Sequence, residues 1–269
     1  MRAIRAGQTY RRADNFQSGK WEPYNPLQTR HTFFISFSFD CARKMNKPLF
    51  KILSTAFALA VSCASFSSGA QEAKGDVKAG ESKISMCIGC HGIKGYQASF
   101  PEVYKVPMIS GQSGKYIASA LNAYKKGERK HPTMRGVAEA LSDQDIADLS
   151  AYYSQHGVVA GAELPSKASK EASPAVQALL NKANCASCHG ANFGAPIDPS
   201  YPKIGGQHAD YLYVALKAYK TENNAKVGRA NAIMGGMVKQ YTNAELKLLA
   251  GYVSSLNGQL KTVPQSEFR

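Results

Sequence analysis

At 269 residues, 44% hydrophobic and 19% charged, the chain is long enough for about two domains and has the composition of a folded, water-soluble protein, which excludes a disordered or membrane-spanning class. Its formal charge of +14 divides evenly, with 10 Lys/Arg against 3 Asp/Glu in residues 1–70 and 23 against 16 in residues 71–269. Half of the basicity therefore falls in a segment that reads as removable, and what remains describes a solvated basic surface, so no nucleic-acid partner is expected.

Residues 1–44 show no apolar periodicity and contain Arg2, Arg5, Arg11, Arg12, Arg30, Arg43 and Lys44. At Met45 the character changes. A short positive segment through Lys47 and Lys51 leads into the small, apolar run Ile52 to Phe66, and Ser68-Gly69-Ala70 offers a small-residue cleavage site. That order is the signature of a secretory signal peptide, and its apolar run is shorter than the roughly 20 residues a spanning helix needs. Residues 45–70 are thus expected to be a cleaved export signal, and residues 1–44 a mis-assigned extension upstream of the true initiator, Met45. The mature protein is expected in the periplasm. Cys63 is a weaker candidate for lipid attachment, because Ala60 stands where a Leu is usual.

Beyond Gln71 the chain keeps four of its six cysteines, and all four lie in two copies of one motif: Cys87-Ile88-Gly89-Cys90-His91 and Cys185-Ala186-Ser187-Cys188-His189. Two thiols three positions apart, followed at once by an imidazole, form the attachment signature of c-type haem. The spacing lets both sulfurs add to the vinyl groups on one edge of a porphyrin while the histidine reaches the iron. A shared zinc would also take four thiolates, but the two pairs are 98 residues apart. A thioredoxin-like redox pair would need a strand and a helix around it that the pattern does not provide. Disulfides would leave both histidines unexplained. Two covalently bound haem c groups are expected, held by Cys87, Cys90, Cys185 and Cys188.

The two motifs belong to an internal repeat. Pro107-Met108-Ile109-Ser110-Gly111-Gln112 aligns with Pro202-Lys203-Ile204-Gly205-Gly206-Gln207, and Tyr116 to Lys125 aligns with Tyr211 to Lys220. Met134-Arg135-Gly136-Val137 aligns with Met234-Gly235-Gly236-Met237, and Ser142 to Ser154 with Thr242 to Ser254. Each copy reads as helices joined by Gly- and Pro-rich loops. Asp76 is expected to cap a helix from Val77 to Ser85, and Ser173 one that opens with Pro174. The Tyr116 and Tyr211 segments carry apolar residues at helical spacing. Ser142-x-x-Asp145 and Thr242-x-x-Glu245 are capping boxes for the last helix of each copy. No stretch alternates with period two, so no sheet is expected. The chain divides into a first domain at 71–160, a linker at 161–173 and a second domain at 174–269. Domains this small bury little surface of their own, so the porphyrin should supply much of the apolar partner surface.

His91 and His189 are the expected proximal iron ligands. Met134 and Met234, placed 43 and 45 residues after them in matching loops, are the expected sixth ligands, with Met237 as runner-up in the second domain. A thioether opposite histidine keeps iron low-spin, raises its potential and leaves no open position for substrate. Carbonyls of the Pro107 and Pro202 loops are candidates to accept the free ring N–H of each histidine. His131, His156 and His208 lack a repeat equivalent and read as surface residues.

Together these residues resemble the dihaem cytochrome c4 family, tandem class I cytochromes c. The resemblance runs over residues 73 to 258 and includes Gly75-Asp76-Val77-Lys78-Ala79-Gly80, Cys-x-x-Cys-His-Gly in both halves, Gly111-Gln112 and Gly206-Gln207, and Leu141 to Leu149 with Tyr152-Tyr153. It implies an all-α fold of two tandem class I cytochrome c domains, each wrapped around one covalently attached haem and facing the other across a pseudo-twofold axis. It further implies His/Met ligation in both, and an electron carrier, not an enzyme. Electrons would come from an upstream reductase such as a bc1-type complex and pass to a terminal oxidase, with possible peripheral membrane association. Two rival functions use similar folds: the haem subunit of a dehydrogenase complex, as in flavocytochrome c sulfide dehydrogenases, and a catalytic dihaem enzyme, against which the matching methionines argue.

Overall fold

The computed structural model describes residues 73–162 and 165–265; the expected extension at 1–44, the export signal at 45–70 and Cys63 lie outside them. Both halves of the repeat belong to one compact unit. In the first half, the Asp76 carboxylate accepts from Ala79 N–H and starts α1 (Val77–Glu81). The sequence pattern carries this helix on to Ser85, but the chain turns at residues 82–84 before α2 (Ser85–His91). Lys83 explains the break: its Nζ points inward, 2.7 Å from Asp145 and 2.6 Å from Asp148. After a two-residue hairpin of β1 (Gln97–Ala98) and β2 (Tyr104–Lys105) comes α3 (Gly114–Lys126), stopped by Gly127 in the left-handed conformation that favours glycine. Then follow β3 (Arg129–Lys130), α4 (Pro132–Glu139) and α5 (Asp143–Gln155), the last with its capping box formed.

The second half repeats the order. Ser173 caps α6 (Pro174–Ala183), and Asn184, itself left-handed, turns the chain directly into α7 (Cys185–His189). Next come α8 (Ala209–Lys220), β4 (Gly228–Arg229), α9 (Ala232–Lys239) and α10 (Asn243–Ser254), again with its capping box. In each half the first and last helices pack together, α1 on α5 and α6 on α10, and the long middle helix lies against the last. Leu149 and Leu246 are the largest fully buried side chains, one in each last helix. The α1–α5 crossing is so close that a Cβ on Gly80 would run into the Asp148 carbonyl.

The expectation of no sheet needs one correction. Besides the β1–β2 hairpin, β3 of the first half pairs antiparallel with β4 of the second, with Arg129 opposite Arg229. Two residues per strand are too few to show any alternation in sequence. The C-terminal tail adds a further bridge between the halves, with Lys261 N–H donating to the Ser110 carbonyl at 3.1 Å.

Asp148 secures the first-half helix pair. Only 2% exposed, it accepts from Asp76 N–H at 2.8 Å, Lys83 Nζ at 2.6 Å and Gln144 Nε2 at 2.8 Å. The Lys83 ammonium, helped by Asp76 N–H, holds its carboxyl below the usual range. A depressed folded-state value means stability that is complete above the ordinary carboxylate range and lost as pH falls through the folded value. Asp148→Asn should therefore cost about 1–3 kcal/mol near neutrality and flatten the loss of stability on acidification, as read by urea unfolding across that pH range.

Candidate functional site

Both Cys-x-x-Cys-His motifs lie on short helices, where positions three apart share a face. Cys87 and Cys90 thus sit together on α2 and Cys185 and Cys188 on α7, each pair followed by its histidine at the helix end. None of the four cysteines is in a disulfide, and all are half-buried. Before haem attachment, burial holds the Cys87 and Cys185 thiols above their ordinary value.

Each histidine is fixed in one tautomer. His91 Nδ1 lies 2.8 Å from the Pro107 carbonyl and His189 Nδ1 3.1 Å from the Pro202 carbonyl. A carbonyl can only accept, so Nδ1 carries the proton and Nε2 keeps a free lone pair. Burial lowers both imidazoles from their usual value, so both are neutral at pH 7. The Pro107 and Pro202 carbonyls stand where the repeat alignment put them.

A cavity of about 570 Å³ runs through both halves, and its wall contains Cys87, Cys90, His91 and Met134 from the first and Cys185, His189 and Met234 from the second. Cys188 lies outside that wall, its Sγ 3.7 Å from Ser187 Oγ. The sequence pattern places Met134 and Met234 in loops; they stand instead at the third position of α4 and α9, because His131 and Asn231 cap a helix turn there. In both cases the residue before the helix caps the methionine's own N–H: His131 Nδ1 accepts from Met134 at 3.3 Å and Asn231 Oδ1 from Met234 at 2.9 Å. Met237, one turn further on, also borders the cavity but is 40% exposed, whereas Met234 packs against the core.

The three leftover histidines are not the surface residues the sequence suggested. His131 is half-buried and engaged at both ring nitrogens, with Nε2 3.0 Å from Tyr104 OH. His156 stacks on Tyr152 with ring centroids 4.7 Å apart and places Nδ1 2.9 Å from Ser110 Oγ. His208 is half-buried just before α8.

The polar feature that sequence reasoning missed lies where β3 meets β4. Arg129 donates to Tyr211 OH at 2.8 Å and to Tyr116 OH at 3.2 Å, and Arg229 donates to the same Tyr211 OH at 3.1 Å. Both guanidiniums border the cavity, neither is paired with a carboxylate among the described residues, and Arg129 Nε is buried without a partner. Burial raises the Tyr211 phenol, but the two arginines outweigh it and bring it down to about 7. Two adjacent cations with no carboxylate partner among the described residues would be stabilised by a nearby negative charge. The signal was available in sequence, since Arg129 and Arg229 are related by the same offset of 100 as Met134 and Met234.

Residues 77–156 and 174–257 each match the family model for cytochrome c. The chain is 29% identical over 200 residues to cytochrome c4 of Stutzerimonas stutzeri, covering 70% of this chain and 93% of that one. It resembles the crystal structure of reduced recombinant cytochrome c4 from Pseudomonas stutzeri with a TM-score of 0.51 and 27% identity, covering 68% of this chain and all of that one. The chain belongs to the dihaem cytochrome c4 family. A thiosulfate dehydrogenase electron acceptor from Stutzerimonas stutzeri strain A1501 is 26% identical over 184 residues, covering 65% of this chain and 81% of that one.

As a cytochrome c4 the protein is an electron-transfer protein of two tandem cytochrome c domains that carries two covalently attached haem c groups. The residues present fit that cofactor: a largely apolar cavity with two neutral imidazoles on its wall suits the macrocycle and its iron, and the unpaired Arg129 and Arg229 suit its carboxylates. Removing one of those positive charges should favour the ferric state. Arg129→Gln is expected to lower the reduced-to-oxidised ratio at fixed ambient potential by on the order of tenfold, the scale on which one charge on the cavity wall acts through a protein interior. Spectroelectrochemical titration reads it; unchanged potentials would mean the arginines serve only the seam.

Proposed function

We propose that this cytochrome c4 is a periplasmic carrier of single electrons whose two haems are both closed. Cys87, Cys90, Cys185 and Cys188 would form the thioether links, the free Nε2 of His91 and of His189 would bind the irons, and Met134 and Met234 would supply the second protein ligand of each. The observation that carries this reading is the repeat of one geometry: a histidine locked with Nε2 free, and a methionine at the third position of a capped helix, on the wall of one cavity. When bound, each haem supplies a one-electron change at iron with no bond made or broken to substrate. The prolines hold the histidines in the donating tautomer, and the helix caps hold the methionines at the cavity wall. The apolar side chains around them exclude water, which limits reorganisation when charge moves.

Domains at 71–160 and 174–269 joined by a linker at 161–173 are supported by the two matched stretches, 77–156 and 174–257. Export through a signal at 45–70, after initiation at Met45, is supported by the order of charge, apolar run and small residues in the sequence. The electron path we propose runs from a bc1-type reductase to a terminal oxidase, with peripheral attachment to the membrane. A second reading is favoured by the similarity to a thiosulfate dehydrogenase electron acceptor: reduction by a dehydrogenase, as the haem subunit or acceptor of such a complex. Co-purification with a dehydrogenase would favour it.

The ferric optical spectrum tests the ligands. The weak sulfur-to-iron band at the red end should report two haems, fall to about half in Met134→Leu or Met234→Leu as one of two His/Met sites is lost, and remain whole in Met237→Leu. A band worth one haem in the parent protein, or loss on changing Met237, would overturn the assignment.

A further inference from the structure

The seam between the halves is built crosswise. Gln112 of the first half, 5% exposed, donates from Nε2 to the Lys203 carbonyl at 2.9 Å and accepts at Oε1 from Lys203 N–H at 2.9 Å. Gln207 of the second half, 3% exposed, does the same to Met108, at 2.9 Å to its carbonyl and 3.1 Å from its N–H. The orientation of each amide is settled by its surroundings. Oε1 of Gln112 also accepts from Ser113 N–H and Oε1 of Gln207 from His208 N–H, so a flipped amide would set its NH₂ group against two donors.

The residues gripped are the ones that follow Pro107 and Pro202. Met108 N–H lies in the same peptide plane as the Pro107 carbonyl, and Lys203 N–H in the same plane as the Pro202 carbonyl. Those carbonyls accept from His91 and His189. Each of the two peptide groups is thus held at both poles, by a histidine of its own domain at oxygen and by a glutamine of the other domain at nitrogen. Hydrogen bonds in such a chain polarise one another. A good acceptor on the N–H makes the carbonyl a better acceptor in turn, draws the Nδ1 proton away from the ring and makes the imidazole a stronger donor at Nε2. A stronger donor favours ferric iron.

We propose that Gln112 and Gln207 are positioning residues that act across the domain boundary, Gln112 lowering the reduction potential of the second haem and Gln207 that of the first, through the proline peptide each one polarises. This rests on His91 and His189 being the iron ligands. It gives the buried amides a redox role beyond joining the halves, and it makes each haem's potential depend on how the opposite domain is docked.

The test uses the dihaem protein with Gln112→Leu and Gln207→Leu, its two potentials followed separately through haem-methyl NMR signals assigned by the cysteines that anchor them. Gln112→Leu should raise the reduced-to-oxidised ratio at fixed ambient potential about 2- to 10-fold at the haem of Cys185 and Cys188, part of the worth of one hydrogen bond, and leave the other haem unmoved. Gln207→Leu should do the reverse. Should either leucine variant fail to assemble, Gln→Met, closer in shape and only a weak acceptor, carries the same expectation. A shift at the haem of the substituted domain, an equal shift at both, or none at either would overturn the proposal, since glutamines that merely glue the seam would produce one of these. Iron-shifted ring protons of His91 and His189 in the parent protein report ligation by themselves, so failure of the ligand assignment and failure of the cross-domain effect are read apart.

Discussion

The hydrogen bond from each histidine to a proline carbonyl is the constraint around which each half is arranged. An imidazole with both nitrogens free can rotate and change tautomer; one whose Nδ1–H is committed to a carbonyl presents Nε2 in a single direction. To place that carbonyl, the chain leaves the end of α2 or α7, loops back under the histidine and turns through a left-handed glycine, Gly111 or Gly206, into the following helix. The glycine N–H is in turn tied to the last helix of its half, to the Tyr153 carbonyl in one and the Val253 carbonyl in the other. The motif helix, the proline loop and the final helix are therefore one connected unit in each domain, with the cavity wall on its inner side.

That arrangement also explains how two domains of this size hold together. Their apolar helices do not close on each other alone. Many of the buried residues, including Leu149, Leu212, Leu246 and Val253, also border the cavity, so a large part of each core needs a flat apolar group to complete it. Two of the polar clusters serve different ends. Lys83, Asp145 and Asp148 brace the outer helix pair of the first half, away from the cavity. Arg129, Arg229 and their tyrosines gather at the boundary of the two domains, where charge on the edge of a bound porphyrin would otherwise be costly to bury.

Much of the site was legible because a duplication reads each residue twice. The attachment motifs, the two proline loops, the paired methionines and both capping boxes each appear at corresponding places, and a feature that survives in both copies is hard to attribute to chance packing. The clearest misreadings concern what a residue touches, not where the repeat puts it. His131 looks like a surface residue in sequence, yet it caps the helix that carries Met134, a role filled at the equivalent position by Asn231 in the other half; the two side chains share only an acceptor atom, which residue identity does not reveal. The break at residues 82–84 was hidden because Lys83 is compatible with a helix, and only its distant partners Asp145 and Asp148 draw it out of one. The roles of Gln112 and Gln207 were invisible for a different reason. Both stand in a repeated pattern, but what each one grips belongs to the opposite copy, and the docking of two domains is not written in the period of either.

With Met134 and Met234 as ligands, both haems would be closed by the protein's own side chains, and the protein would conduct electrons without bond chemistry. Exposure of the fully reduced protein to carbon monoxide tests it most directly, because carbon monoxide binds ferrous haem wherever an axial position is open or weakly held. Closed haems should leave the optical spectrum unchanged for both centres at neutral pH. Rapid formation of a carbonyl complex at either one would contradict it.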